Sequence, residues 1–127
     1  MDKPGAPQEK GVLVSVLPHQ LSDFSISSEA GGERVVVTVT GELDVHSAPQ
    51  LREHLAAVAT AGAREVVVDL TGTEFIDSTG IGVIVGALRR LRGQQGSLRL
   101  RGVSTPMLRV FQLTGLTRMM EIDLRGS

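Results

Sequence analysis

The chain has 127 residues, 41% of them apolar, which suits one compact domain and is too little for two ordinary ones. Thirteen basic and fourteen acidic side chains leave a formal charge of -1, so no general field draws the chain to nucleic acid or to an anionic membrane, and without Trp or Tyr it lacks most stacking groups of a single-strand binder. With no cysteine, disulfide and thiolate chemistry are excluded; His19, His46 and His54 have no zinc-like spacing, so neither a metal nor a cofactor is expected.

Positions 1–11 are rich in Pro, Gly and charge and read as a flexible extension. Val12 to Leu17 could add an edge strand before Pro18 stops it, so 1–21 is assigned as an N-terminal extension. The first thirty residues lack the pattern of a secretory leader and no run of eighteen apolar residues occurs, which makes the cytoplasm the expected location.

From Phe24 the chain alternates with period two, turns at Gly31-Gly32 and resumes as an extended β-branched run from Arg34 to Thr40, predicting a hairpin. Val35, Val37 and Val39 give it one apolar face, while Val36, Thr38 and Thr40 form a mixed face that another layer could cover. A helix is predicted from Ser47, its expected cap, to about Ala61, with Pro49 in the first turn and Ala48, Leu51, Leu55, Val58 and Ala59 at helical spacing. Glu65 to Leu70 reads as a central strand, followed by a short loop at 71–74 and the apolar pair Phe75-Ile76. A second helix runs from Asp77-Ser78 to about Arg92, with Ile81, Ile84, Val85, Leu88 and Leu91 on one side. Its terminal Arg89, Arg90 and Arg92 complement the helix dipole and read as a solvated end. A strand at 97–101 follows, then a helix capped by Ser104 or Thr105, with Met107, Val110 and Phe111 inward and Gly115 at its end. The stretch 119–124 fits either helix or strand. This order predicts an α/β single domain, a small mixed β-sheet covered by amphipathic helices, occupying 22–124 and leaving 125–127 as a tail.

Ser78 stands where a loop enters a helix, behind Phe75 and Ile76, which are expected to anchor the loop in apolar surroundings. A phosphate there would add about -1.5 to -2 charge, which free N–H groups of the first helical turn could accept. The fold would survive, but a docking surface would gain a bulky anion beside Asp44 or Asp77. On residue types alone, Asp77, Ser78 and Thr79 equally supply an ordinary helix cap. Neither a G-x-G-x-x-G nor a Walker A sequence is present, and Gly80, Gly82 and Gly86 could equally serve close helix packing. Glu42 with Asp44, or Asp69 with Asp77, could suggest carboxylate catalysis but read better as strand-end polarity. Ser78, His46 and Asp44 hold the residue types of an acyl-transfer triad without its G-x-S-x-G elbow.

Three segments, in order, carry a family resemblance: Gly41-Glu42-Leu43-Asp44, then Val67-Val68-Asp69-Leu70, then Phe75-Ile76-Asp77-Ser78-Thr79-Gly80-Ile81-Gly82. With the C-terminal run from Thr105 to Leu116, they resemble the bacterial anti-sigma factor antagonists of the STAS domain class. The resemblance implies a STAS-like fold and a binding protein with no catalytic residue. Ser78 would be phosphorylated by a partner anti-sigma factor that is also a serine kinase, and a metal-dependent serine phosphatase would reset it. Asp44, Asp77, Ser78, Thr79 and Gly80 would meet the partner. The unmodified form would hold the anti-sigma factor and free a sigma factor. A non-catalytic STAS scaffold or sensory subunit of a larger complex, with no phosphorylation cycle, is the other reading.

Overall fold

The computed structural model describes residues 24–126, so the proposed extension at 1–21 and its edge strand at 12–17 lie outside the described residues. Strands β1 (Ser25–Gly31) and β2 (Arg34–Leu43) form the predicted antiparallel hairpin, closed where Gly32 adopts a left-handed φ of 70°. Helix α1 (Ala48–Thr60) leads to β3 (Glu65–Ile76), α2 (Ser78–Gly93) to β4 (Ser97–Val103), and α3 (Thr105–Leu113) with a 3-10 turn at Leu116–Arg118 to β5 (Glu121–Leu124). The undecided stretch near the C-terminus is thus a strand, paired parallel to β4 through Leu100 and Ile122.

The five strands lie in the order β1-β2-β3-β4-β5, with only the first pair antiparallel. Each parallel connection steps the same way through a helix, and the right-handed crossover rule sends such helices to one face. On that face Val37, Val39, Val66, Val68, Leu98 and Leu100 meet Leu51 and Leu55 of α1, Ile84 and Leu88 of α2, and Phe111 of α3 in one buried core. The other face carries cross-strand ion pairs instead: Arg101 Nε to Asp69 Oδ2 at 3.0 Å, Arg34 to Glu65 at 4.0 Å, and Arg99 to Asp123 at 3.8 Å. The mixed side of β2 belongs to this face, where Val36 and Thr38 are half-buried and Thr40 is exposed.

Several sequence expectations change. The loop assigned to 71–74 is strand, because β2 stays paired beside it, Thr40 with Gly72 and Gly41 with Thr73. Two register shifts absorb the extra residues of β3; Gly41 supplies a φ of 104°, and Gly72 lets Thr40 Oγ1 come within 3.1 Å of where a Cβ would stand. Phe75, expected to anchor the loop in apolar surroundings, is 49% exposed, since it alternates with the buried Ile76. Val110 is 37% exposed, for Met107 and Phe111 fill the inward stripe of a nine-residue helix and Leu108 rather than Val110 packs at its edge. Ser47 makes no side-chain cap to α1, because its hydroxyl is committed to the preceding strand end.

The stripe on α2 is wider than predicted. Val83 is buried in addition to Ile81, Ile84, Leu88 and Leu91, because it faces Leu55 and Ala59 of α1, while Val85 is half-buried. At the far end Arg90 donates to Thr60 Oγ1 at 2.8 Å and Arg92 to the Met119 carbonyl, so these arginines tie helix ends together as well as meeting the dipole.

Candidate functional site

Leu43 and Ile76 are register partners in the parallel pair β2 and β3, so the junctions that follow, Asp44 to Ser47 and Asp77-Ser78, lie side by side. One backbone bond joins them, from the Asp77 N–H to the Leu43 carbonyl at 3.1 Å. Gly80 is buried and lets α2 sit down on the strand ends: a Cβ there would lie 2.8 Å from Leu43 Cγ and 3.0 Å from both Ile76 Cγ1 and the Leu43 carbonyl oxygen. No larger residue fits without displacing Leu43. Gly82 and Gly86 meet nothing within 4 Å, so close packing within the domain accounts for Gly80 alone of the three.

Asp77 is the cap of α2. Its backbone is extended, and Oδ1 accepts the N–H groups of Thr79 at 2.9 Å and Gly80 at 3.0 Å. Those amides are therefore not free, which narrows the expectation that the first turn could take up a phosphate: two of its donors are already held by a carboxylate. Ser78 follows, exposed, and among the described residues its hydroxyl has no hydrogen-bond partner; Thr79 beside it is half-buried.

Asp44 organises the neighbouring junction. Its Oδ1 accepts the N–H of His46 at 2.9 Å and of Ser47 at 3.1 Å, while its own N–H donates to Ser47 Oγ at 3.0 Å. The buried Ser47 hydroxyl in turn donates to the Glu42 carbonyl at 2.6 Å. Desolvation pushes the Asp44 carboxyl upward, but the bonds from Ser47 and His46 together outweigh it and hold the group below its ordinary 3.8. Asp44 thus shapes its loop through one oxygen.

The catalytic alternatives lose their geometry. His46 touches Asp44 through its backbone amide rather than its ring, so the carboxylate does not orient an imidazole toward Ser78. Asp69 is bound to Arg101 Nε and the Thr71 N–H, eight residues up an extended strand from Asp77, roughly 20 Å or more and beyond the span of a glycosidase pair. Among the described residues no group of three or more His, Asp or Glu could hold a metal, and no helix is long and apolar enough to cross a membrane.

Sequence reasoning placed Asp44, Asp77, Ser78, Thr79 and Gly80 in one site, and the structure brings all five to this paired junction. It missed Ser47 as a buried staple, and Val45 and Phe75 as exposed apolar neighbours. Strand alternation carried through 71–74 would have turned Phe75 outward.

The family model described as "Mlab, STAS domain" matches residues 26–124. The anti-sigma-B factor antagonist of Bacillus subtilis is 40% identical over 92 residues, 72% of this chain and 84% of that protein. A crystal structure of an anti-sigma factor antagonist from Mycobacterium paratuberculosis superposes with a TM-score of 0.73 at 26% identity, covering 79% of this chain and 85% of that one. The Bacillus cell fate determinant SpoIIAA, solved in its phosphorylated form, gives a TM-score of 0.63 at 31% identity over 78% of this chain and 89% of its own.

Proposed function

Because the chain belongs to the STAS domain family and, within it, to the anti-sigma factor antagonists, we propose that it is a partner switch controlled by Ser78. The unmodified protein binds an anti-sigma factor that is also a serine kinase, and a sigma factor is thereby released. ATP-dependent phosphorylation of Ser78 ends the binding, and a metal-dependent serine phosphatase restores it. Residues 22–124 act as the switching unit, in the cytoplasm, as a binding protein rather than an enzyme.

The observation that carries this reading is the exposed Ser78 hydroxyl, without a hydrogen-bond partner among the described residues, on the first turn of a helix whose position is fixed by Gly80 and Asp77. A kinase can reach it, and nothing in the fold has to move for a phosphate to be attached. Asp44 and Asp77 already stand at the junction, so the dianion joins two carboxylates at a surface that must be dried for a partner to dock. A like-charge and desolvation cost of this kind falls mainly on the complex, which explains release without unfolding.

The test is incubation with candidate anti-sigma serine kinases of the cell of origin and ATP, followed by mapping of the modified residue and affinity measurements. Modification at Ser78 alone, with at least tenfold weaker binding afterwards, is expected. Stable assembly into a larger complex with no modification would favour the scaffold reading instead.

A further inference from the structure

We infer that Val45 and Phe75, two exposed apolar side chains flanking the Ser78 junction, are the anchors of the docking surface, and that the partner presents an apolar cleft bordered by Arg or Lys. This rests on the partner-switch reading and adds what holds the partner.

Val45 follows Asp44 and is 58% exposed; Phe75 lies two residues before Asp77 and is 49% exposed. Both belong to segments locked by hydrogen bonds: Val45 to the turn held by Asp44 and Ser47, Phe75 to a strand paired with Glu42. An apolar side chain on a rigid backbone loses little further freedom on binding, which is the property of an interface anchor. Neither belongs to the apolar cluster of the core or to the side chains packed against it. The carboxylates expected to make the contact are engaged otherwise, for Asp44 and Asp77 each use Oδ1 to hold local backbone amides. Their primary part is to position the two junctions.

Charge decides between possible occupants. Between Arg34 and Arg52, and again between Arg64 and Arg89, the sequence has no Arg or Lys, while Glu42, Asp44, Glu74 and Asp77 all fall in these two segments near the junction. A second copy would oppose this acidic rim with its own, whereas a basic-edged partner complements it. Ser78 lies inside that rim, where the anchors require dry contact. A hydrated dianion at that point keeps water between the surfaces even though the partner's edge is basic.

The experiment measures affinity for the anti-sigma kinase that phosphorylates Ser78, at low and high ionic strength, with the full chain and the variants Val45→Ala, Phe75→Ala, Phe75→Leu and Leu113→Ala. Leu113 is 88% exposed at the end of α3, remote from the junction along the return from β4 to β5, and serves as a control. Val45→Ala and Phe75→Ala should each weaken binding about tenfold or more, Phe75→Leu less, and Leu113→Ala not at all, with melting curves matching the parent. Binding of the parent should weaken as salt rises. Parent-like affinity of both alanine variants, with Ser78 still modified and switching, overturns the anchors and leaves the switch standing. Salt-independent binding overturns the basic edge. A parent chain that no such kinase binds or modifies overturns both.

Discussion

Asp77 joins two tasks that substitution can separate. Asp77→Ala removes the acceptor for the Thr79 and Gly80 amides and should cost about 1 kcal/mol in thermal or denaturant unfolding, whereas Asp77→Asn keeps a good cap without the charge and should stay close to the parent. Gly80→Ala meets a tighter limit, because its Cβ would stand 2.8 Å from Leu43 Cγ; a loss of about 1–3 kcal/mol is expected, read by the same unfolding curves. At low pH the relevant groups are Asp44 and Asp69. Burial raises both, but hydrogen bonds from Ser47 and His46 at the first, and from Thr71 with the Arg101 ion pair at the second, leave each below 3.8. A lowered folded-state value means that their stabilisation is complete above about 3.8 and is lost as pH falls through the lower folded values. Acid titration of Asp44→Asn should therefore show a shallower decline below pH of about 4 than the parent.

At the level of elements, α2 both carries the site and fills the core. Ile84 is fully buried in the cluster, so Ile84→Asp should place an unpaired charge there and abolish cooperative unfolding, while Ser78→Ala should leave the melting curve unchanged. Much of this was legible in the sequence. The valine runs of β2 and β3, the helical spacing from Leu51 to Ala59 and from Ile81 to Leu91, and the turn at Gly31-Gly32 each express one local preference that the fold keeps. The segment 71–74 was not legible, because Gly72 and Glu74 are poor strand residues that break the β-branched run and only pairing with β2, a contact between distant residues, makes the segment strand. For the same reason Phe75 was assigned to apolar surroundings: its outward direction depends on a strand that local composition conceals. The site residues were legible as a motif, but their roles were not, since the Oδ1 atoms of Asp44 and Asp77 find their partners only once the chain is folded.

For the whole molecule, the parallel strands β2 and β3 end at the switch and their helices return away from it, so Asp44 and Asp77 stand at one pole and the arginines at the C-terminus of α2 lie at the other. Ser78→Asp should reproduce part of the phosphorylated state, weakening the anti-sigma complex less than the phosphate does, because one carboxylate has neither its charge nor its three oxygens; titration calorimetry of parent, Ser78→Asp and phosphorylated chains would rank them. The bond from the Asp77 amide to the Leu43 carbonyl gives the two neighbouring junctions a shared fate. A ligand that steadies the turn after β2 must also steady the start of α2, and by reciprocity whatever alters the helix start is felt at that turn. Deuterium uptake at this single amide would report on both, slowing when the partner seats and quickening when it leaves.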